Sequence, residues 1–334
     1  MDKPIQIIEK EEKSIRVRGI NAALVSAFFL GLAPIFGKKA IALGVSPLAV
    51  VALRTILATT LLFLMMFIFQ RKFLYIYPAG LIGCMLAGVI NGIGSIFFYN
   101  ALGKIDAGLG QMLYLLYPFF VAFWMFLDRQ SISRITVIRL CIAIPAVLLL
   151  VQTGKNNTSE VWLGTAMMLA ASALYALHLP INQRVLYDIP APTVTLYTLL
   201  AMSIVVVPAS LIFGEIQDFS QISAVGAWWL ILALTLVTFL SRLTLFTGVK
   251  HLGGLQTALL GLSELLVTLI LSQIWLRESL VWTQWVGAGL LIFSMLLVGF
   301  EKQEVAKKKE GGFLGWLSSP RGISAEDIWR SRDQ

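Results

Sequence analysis

Three side chains sit where a hydrocarbon environment tolerates them poorly. Arg54, Arg242 and Glu264 are ionisable groups inside long apolar runs. A charge near mid-bilayer costs roughly 2.5–3.5 kcal/mol on insertion scales, so such groups face a cavity or a partner. Arg54 lies about two helical turns inside one end of its run. That place suits either a contact to a solute carboxylate or a structural tie between helix ends. With about 1.5 Å of rise per residue, Arg242 and Glu264 sit roughly 10 Å and 15 Å from the facing ends of consecutive runs. Two readings follow. The pair forms a structural salt bridge, or Glu264 opens into a cavity, where it accepts a proton or binds an amine. Glu264 is the acid set well inside a run; Asp106, Asp128, Glu160 and Glu278 all lie at edges.

Amide and phenol groups interrupt several apolar runs: Asn91, Tyr99, Asn100, Gln111, Tyr114, Tyr117, Tyr175, Tyr197 and Gln256. Apolar walls with a few polar contacts are the usual form of a small-molecule site. Tyr and Trp near run ends form interfacial belts instead, and Trp228, Trp229, Trp275, Trp282 and Trp285 fit that role. The candidate binding residues are therefore Glu264, Arg242, Arg54, Asn91, Tyr114, Tyr99, Gln111 and Tyr175. His178, near Pro180, is of a type that titrates near neutral pH, but a hydrogen-bonded packing role suits it better. No HExxH, nucleophile elbow or paired acids are present, so no catalytic residues are expected and the chain does not read as an enzyme. Without a P-loop, ATP does not drive it directly. Two histidines and two cysteines, Cys84 and Cys141 in apolar runs, form neither a metal cluster nor a disulfide framework, and no cofactor is expected.

These groups must be held by a chain of 334 residues that is 58% hydrophobic and only 13% charged, against about 25% charged for an average soluble domain. Its mean hydropathy is +0.83. Residues 1–18 hold 9 charges and residues 301–334 hold 13, which leaves 22 across 19–300. That core has too little polar surface to face water. A soluble enzyme, a disordered chain and a nucleic-acid-binding domain are all poor readings. The net charge of +8 belongs to the tails and loops of a membrane protein.

About 20 apolar residues cross a bilayer as a helix. Ten such runs occupy roughly 20–37, 47–69, 77–99, 107–127, 135–153, 161–183, 192–213, 225–249, 254–276 and 280–300. Short gaps between them imply antiparallel hairpins. Runs such as LLFLMMFIF lack the alternation of a transmembrane β-barrel. Span 3 places Gly80, Cys84, Gly88 and Gly92 at four-residue spacing, a small face for close helix packing. Pro34, Pro118, Pro145, Pro180 and Pro208 are candidate helix breaks. With the N-terminus inside, the inner segments hold 15 Lys and Arg and the outer ones 5, so both termini are expected in the cytoplasm.

The two halves match at an offset of about 146: Ser26-Ala27 with Ser172-Ala173, Pro34 with Pro180, Lys38 with Arg184, Gly108-Leu109 with Gly254-Leu255. The expected fold class is an all-α membrane protein of ten transmembrane helices in two inverted five-helix repeats. Five is odd, so the second repeat enters the membrane upside down. Inverted repeats are an architecture of secondary transporters, with a site near the midplane between halves that rock. The domain plan is an N-terminal tail at 1–18, repeats at 19–153 and 160–300, and a C-terminal tail at 301–334.

Several motifs then carry a resemblance. They are Ser46-Pro47 with Ala52-Leu53-Arg54, Phe98-Tyr99-Asn100-Ala101-Leu102, Ala107-Gly108-Leu109-Gly110-Gln111 with Tyr117-Pro118, and Leu276-Arg277-Glu278-Ser279-Leu280. In their order and spacing the chain resembles the EamA-type transporters of the drug/metabolite transporter superfamily, over about residues 18–300. The resemblance implies ten helices, two EamA repeats and a central cavity that moves small metabolites, usually outward. Two departures stand at Arg129-Gln130 and Arg277-Glu278, where the family has Gly-Glu.

The expected function is a secondary transporter, an exporter, of a small neutral or zwitterionic metabolite such as an amino acid; the alternative is a non-transporting membrane scaffold or sensor of transporter ancestry. A phosphorylated solute would need several basic groups, and Arg54 and Arg242 are the two candidates. The expected partners are a small-molecule solute, membrane lipid and a proton as coupling ion, without nucleic acid; a homodimer stays open. The expected location is the cell (inner) membrane. Lys307, Lys308 and Lys309 beside Phe313, Leu314, Trp316 and Leu317 suit contact with an anionic inner leaflet. Asn156 and Asn157 form chance glycosylation-type patterns in a short loop.

Overall fold

The computed structural model describes residues 3–128, 134–151, 159–213, 226–277 and 282–297. Arg129-Gln130, Asn156, Asn157, Glu278 and the 301–334 tail lie outside the described residues. Among the described residues the regular elements are all helical. They are α1 (Lys3–Ala42), α2 (Pro47–Phe69), α3 (Pro78–Lys104), α4 (Ala107–Tyr114), α5 (Tyr117–Leu127) and α6 (Arg134–Val151) in the first half. The second half has α7 (Ser159–Leu186), α8 (Ala191–Phe213), α9 (Trp228–Leu252), α10 (Gly254–Gly261), α11 (Glu264–Leu271) and α12 (Trp282–Leu296). A 3-10 turn at Arg71–Leu74 and a π-turn at Ser272–Leu276 complete the list.

Eight of the helical stretches are long and apolar enough to cross a membrane, Ala107–Leu127 and Gly254–Leu276 each counted as one. α6 and α12 occupy the places of the fifth and tenth expected spans and pack against each other. The segment expected as an N-terminal tail is helical from Lys3 and continues into the first span. Ser46-Pro47 starts α2: the Ser46 hydroxyl accepts from the Ala49 N–H at 3.2 Å, and Pro47 fills a first-turn position whose N–H has no intrahelical partner.

Two expected spans are not continuous. The fourth breaks at Leu115-Leu116 between α4 and α5, with Pro118 in the first turn of α5. The ninth breaks at Leu262-Ser263 between α10 and α11. The breaks fall at corresponding places of the two halves. Proline explains the first, because it lacks the N–H that a continuous helix needs. Pro34, Pro145, Pro180 and Pro208, also expected as candidate breaks, lie inside helices that continue.

Packing follows the repeat. α1 lies on α9 as α3 lies on α7; α3 packs on α8 as α2 packs on α9; α5 packs on α7 as α11 packs on α1. α2 meets α8, its own counterpart. Exchanging the halves therefore maps the pattern onto itself. The small face of α3 is a contact surface, as expected: a Cβ on Gly88 would stand 2.4 Å from the Thr198 carbonyl oxygen of α8. Large apolar side chains such as Phe126, Leu211, Phe213 and Ile274 face outward, as lipid contact requires. At one end, Arg184 of α7 donates from Nε and Nη2 to Asp128 Oδ2 at 3.2 and 2.8 Å, with both side chains buried. Near the expected opposite end, Trp229 and Trp275 stack at 5.8 Å.

Candidate functional site

α3 supplies the longest wall of a central pocket. Asn91, Gly94, Ser95 and Phe98 recur at helical spacing and so share one face, with Tyr99 beside them. Gln111 and Tyr114 come from α4, the half-helix that ends at the first break. Glu264 comes from the first turn of α11, which begins at the second break. There the helix dipole favours a carboxylate. Arg54 of α2, Tyr175 of α7 and Arg242 of α9 enter from the sides, and Leu30 and Ala33 of α1 close the lining. The cavity between these side chains is about 40 Å³, well below the roughly 300–1,000 Å³ of small-molecule sites. All eight residues singled out in the sequence line this one pocket, and they come from both halves.

The two arginines are held differently. Arg54 donates from Nη1 to Thr238 Oγ1 at 3.1 Å, and its guanidinium lies 4.6 Å from the Tyr99 ring centre. Its Nε is buried without a hydrogen-bond partner. Arg242 donates from Nη2 to Asn91 Oδ1 at 3.4 Å and from Nη1 to His178 Nε2 at 3.5 Å. It lies 5.6 Å from the Tyr175 ring centre. His178 is fully buried, and its Nδ1 faces the Tyr175 carbonyl oxygen. A carbonyl requires Nδ1 to carry the proton, which leaves Nε2 as the acceptor for Arg242. His178 is thus a packing residue, as expected, that also positions an arginine.

Of the two readings for Arg242 and Glu264, the salt bridge does not form. Arg242 turns to Asn91 and His178, while Glu264 Oε1 is buried with no hydrogen-bond partner. The Gln111 side chain is the polar group that approaches its carboxyl. Tyr99 Oη is likewise buried and unpartnered. Behind the polar groups stands an aromatic cluster. Tyr114 meets Phe98 at 5.0 Å and Tyr175 at 5.2 Å, and Tyr117 meets Tyr175 at 5.0 Å between ring centres.

The two breaks touch. Tyr117 donates to the Ala258 carbonyl at 3.0 Å, and a Cβ at Gly261 would stand 2.0 Å from the Tyr117 hydroxyl. Glycine at 261 leaves room for that crossing. Other polar residues noted in the spans serve locally: Asn100 donates to Ile96 O, and Tyr197 to Leu74 O. Sequence reasoning missed Thr238, Gly94, Ser95 and Phe98. Thr238 stands four residues before Arg242, and the other three share a face with Asn91, so helical spacing was the available signal.

The EamA-like transporter family model matches the chain twice, over residues 17–152 and 162–300. No curated protein matches it. Among solved structures, one titled "Crystal structure of protein" is similar at a TM-score of 0.63 and 14% sequence identity, over 86% of this chain and 97% of that one. Likeness at that identity speaks to the fold alone. With both halves matched and eight crossing-length apolar helices, this multi-pass membrane protein belongs to the EamA-like transporter family.

Proposed function

We propose that the protein is a secondary transporter that exports a small zwitterionic or neutral metabolite, such as an amino acid, through the central pocket. One observation carries the reading: residues from both halves line a pocket beside two helix breaks at corresponding places of the repeat. Discontinuous helices at a repeat interface are where secondary transporters hold solutes, because freed backbone and half-helix ends are tolerated only where they line a cavity. Three unpartnered buried polar atoms, on Arg54, Tyr99 and Glu264, support a binding role over a scaffold, whose midplane polar groups would be paired.

The arrangement in the membrane belongs to the same proposal. Ten spans form two five-span repeats over about 19–153 and 160–300, inverted about an axis in the membrane plane. Both termini face the cytoplasm and the protein resides in the inner membrane. Arg54 takes the solute carboxylate, Glu264 takes the amine or a coupling proton, and Asn91, Gln111, Tyr99, Tyr114 and Tyr175 fit the body of the solute. Metabolite profiling of medium from a deletion strain and an overproducing strain tests the reading. A solute class that accumulates outside only on overproduction supports it, and identical profiles oppose it.

A further inference from the structure

Three charged side chains line the pocket: two guanidiniums, Arg54 and Arg242, and one carboxylate, Glu264. All three are buried, at 6%, 5% and 2% exposure. His178 adds no charge, because its Nε2 accepts from Arg242 while its Nδ1 faces a carbonyl. A neutral zwitterion leaves one cation uncompensated in a low-dielectric site, which is the costly arrangement for buried charge.

The unpartnered atoms point the same way. Arg54 Nε and Tyr99 Oη are both buried donors without partners, and the Arg54 guanidinium lies over the Tyr99 ring. They suit an anionic oxygen. Glu264 Oε1 is an anionic acceptor and suits an ammonium. Among the described residues Arg242 has two neutral partners at 3.4 and 3.5 Å, both long contacts, and no acidic one. It still lacks an anion.

We infer that the solute is an acidic amino acid, with one carboxylate for Arg54 and Tyr99, one for Arg242 and an ammonium for Glu264. This inference rests on the transporter reading and on its amino-acid solute, and replaces the neutral net charge of that solute with −1. Net charge −1 on the solute neutralises the site. Specificity then comes from two residues: Arg242 selects the second carboxylate, and Glu264 selects the amine.

Counterflow of radiolabelled L-glutamate, and in parallel runs of radiolabelled L-glutamine and L-leucine, into proteoliposomes of the full chain tests this, with unlabelled glutamate, glutamine, glutarate and leucine loaded in turn. Glutamine keeps the shape of glutamate and removes one charge; glutarate keeps both carboxylates and removes the amine. The expected result is saturable glutamate counterflow, at least tenfold weaker when glutamine or glutarate is the exchanging solute. Arg242→Gln should remove most of the glutamate-over-glutamine preference, and Arg242→Lys should restore part of it. If labelled glutamine or leucine moves as well as glutamate, the acidic-solute inference is overturned and the transporter reading stands. If no labelled amino acid moves, both fall.

Discussion

Arg242 and Glu264 line the same pocket without forming an ion pair. The arginine is held by Asn91 and His178, so each of the two charges meets the solute space on its own. A permanent salt bridge would have consumed both and left little for a solute. This separation makes the functional consequences of each residue distinguishable.

Glu264→Gln should therefore fold. Arg242 keeps its present partners, so no newly orphaned cation is created. Membrane levels and Tm should match the wild type, while transport falls and what remains loses its pH dependence. Arg242, Tyr114, Tyr117 and Tyr175 are the ionisable groups around Glu264. Transport rates from pH 5.5 to 8.5 in vesicles check this. A folded Glu264→Gln protein with an unchanged pH profile would remove Glu264 from the coupling step.

Asp128→Asn should act in the opposite way, on stability. The Asp128 carboxylate takes two donors from Arg184, and both side chains are buried. Removing one partner of a buried pair costs about 3–5 kcal/mol. Tm by intrinsic fluorescence in detergent should fall by several degrees, with transport per folded molecule far less affected. An unaltered Tm contradicts the assignment.

Much of this was legible in residue types alone. Charged groups inside apolar runs have few physical excuses, so Arg54, Arg242 and Glu264 mark the pocket in the sequence. The breaks in spans four and nine were less legible. Pro118 sits at one of them, yet Pro34, Pro145, Pro180 and Pro208 sit in continuous helices. The second break has no proline at all and lies at Leu262-Ser263. Proline permits a break; tertiary packing around the site decides whether it forms. The choice between pairing and separation of Arg242 and Glu264 was not legible for a similar reason. Depth along two helices does not reveal which way two side chains turn, and the amide of Asn91 came from a third helix.

Gly88→Val should weaken the α3–α8 contact. The first added atom would stand 2.4 Å from the Thr198 carbonyl oxygen, and backbone cannot swing aside as a side chain can. Overpacking of this kind costs about 1–3 kcal/mol. Lower Tm and reduced expression are expected, whereas Gly289→Ala, with open space around it, should be neutral. Equal effects at both positions would refute the packing account.

Reporter fusions give a direct check of orientation. Inner segments carry 15 Lys and Arg against 5 outside when both termini are cytoplasmic. Green fluorescent protein at the C-terminus should fluoresce, and alkaline phosphatase there should be inactive. An active phosphatase fused after Gln334 would reverse the topology.

The central claim is that solute crosses through the pocket between the two repeats. Uptake of a labelled amino-acid mixture into proteoliposomes, for the wild type beside Arg54→Gln and the pocket-filling Ser95→Phe, tests it most directly. The account predicts saturable uptake by the wild type and at least a tenfold loss in both variants, each with a Tm showing that it is folded. Wild-type uptake no greater than that of protein-free liposomes, or folded variants that transport as well as the wild type, would contradict it.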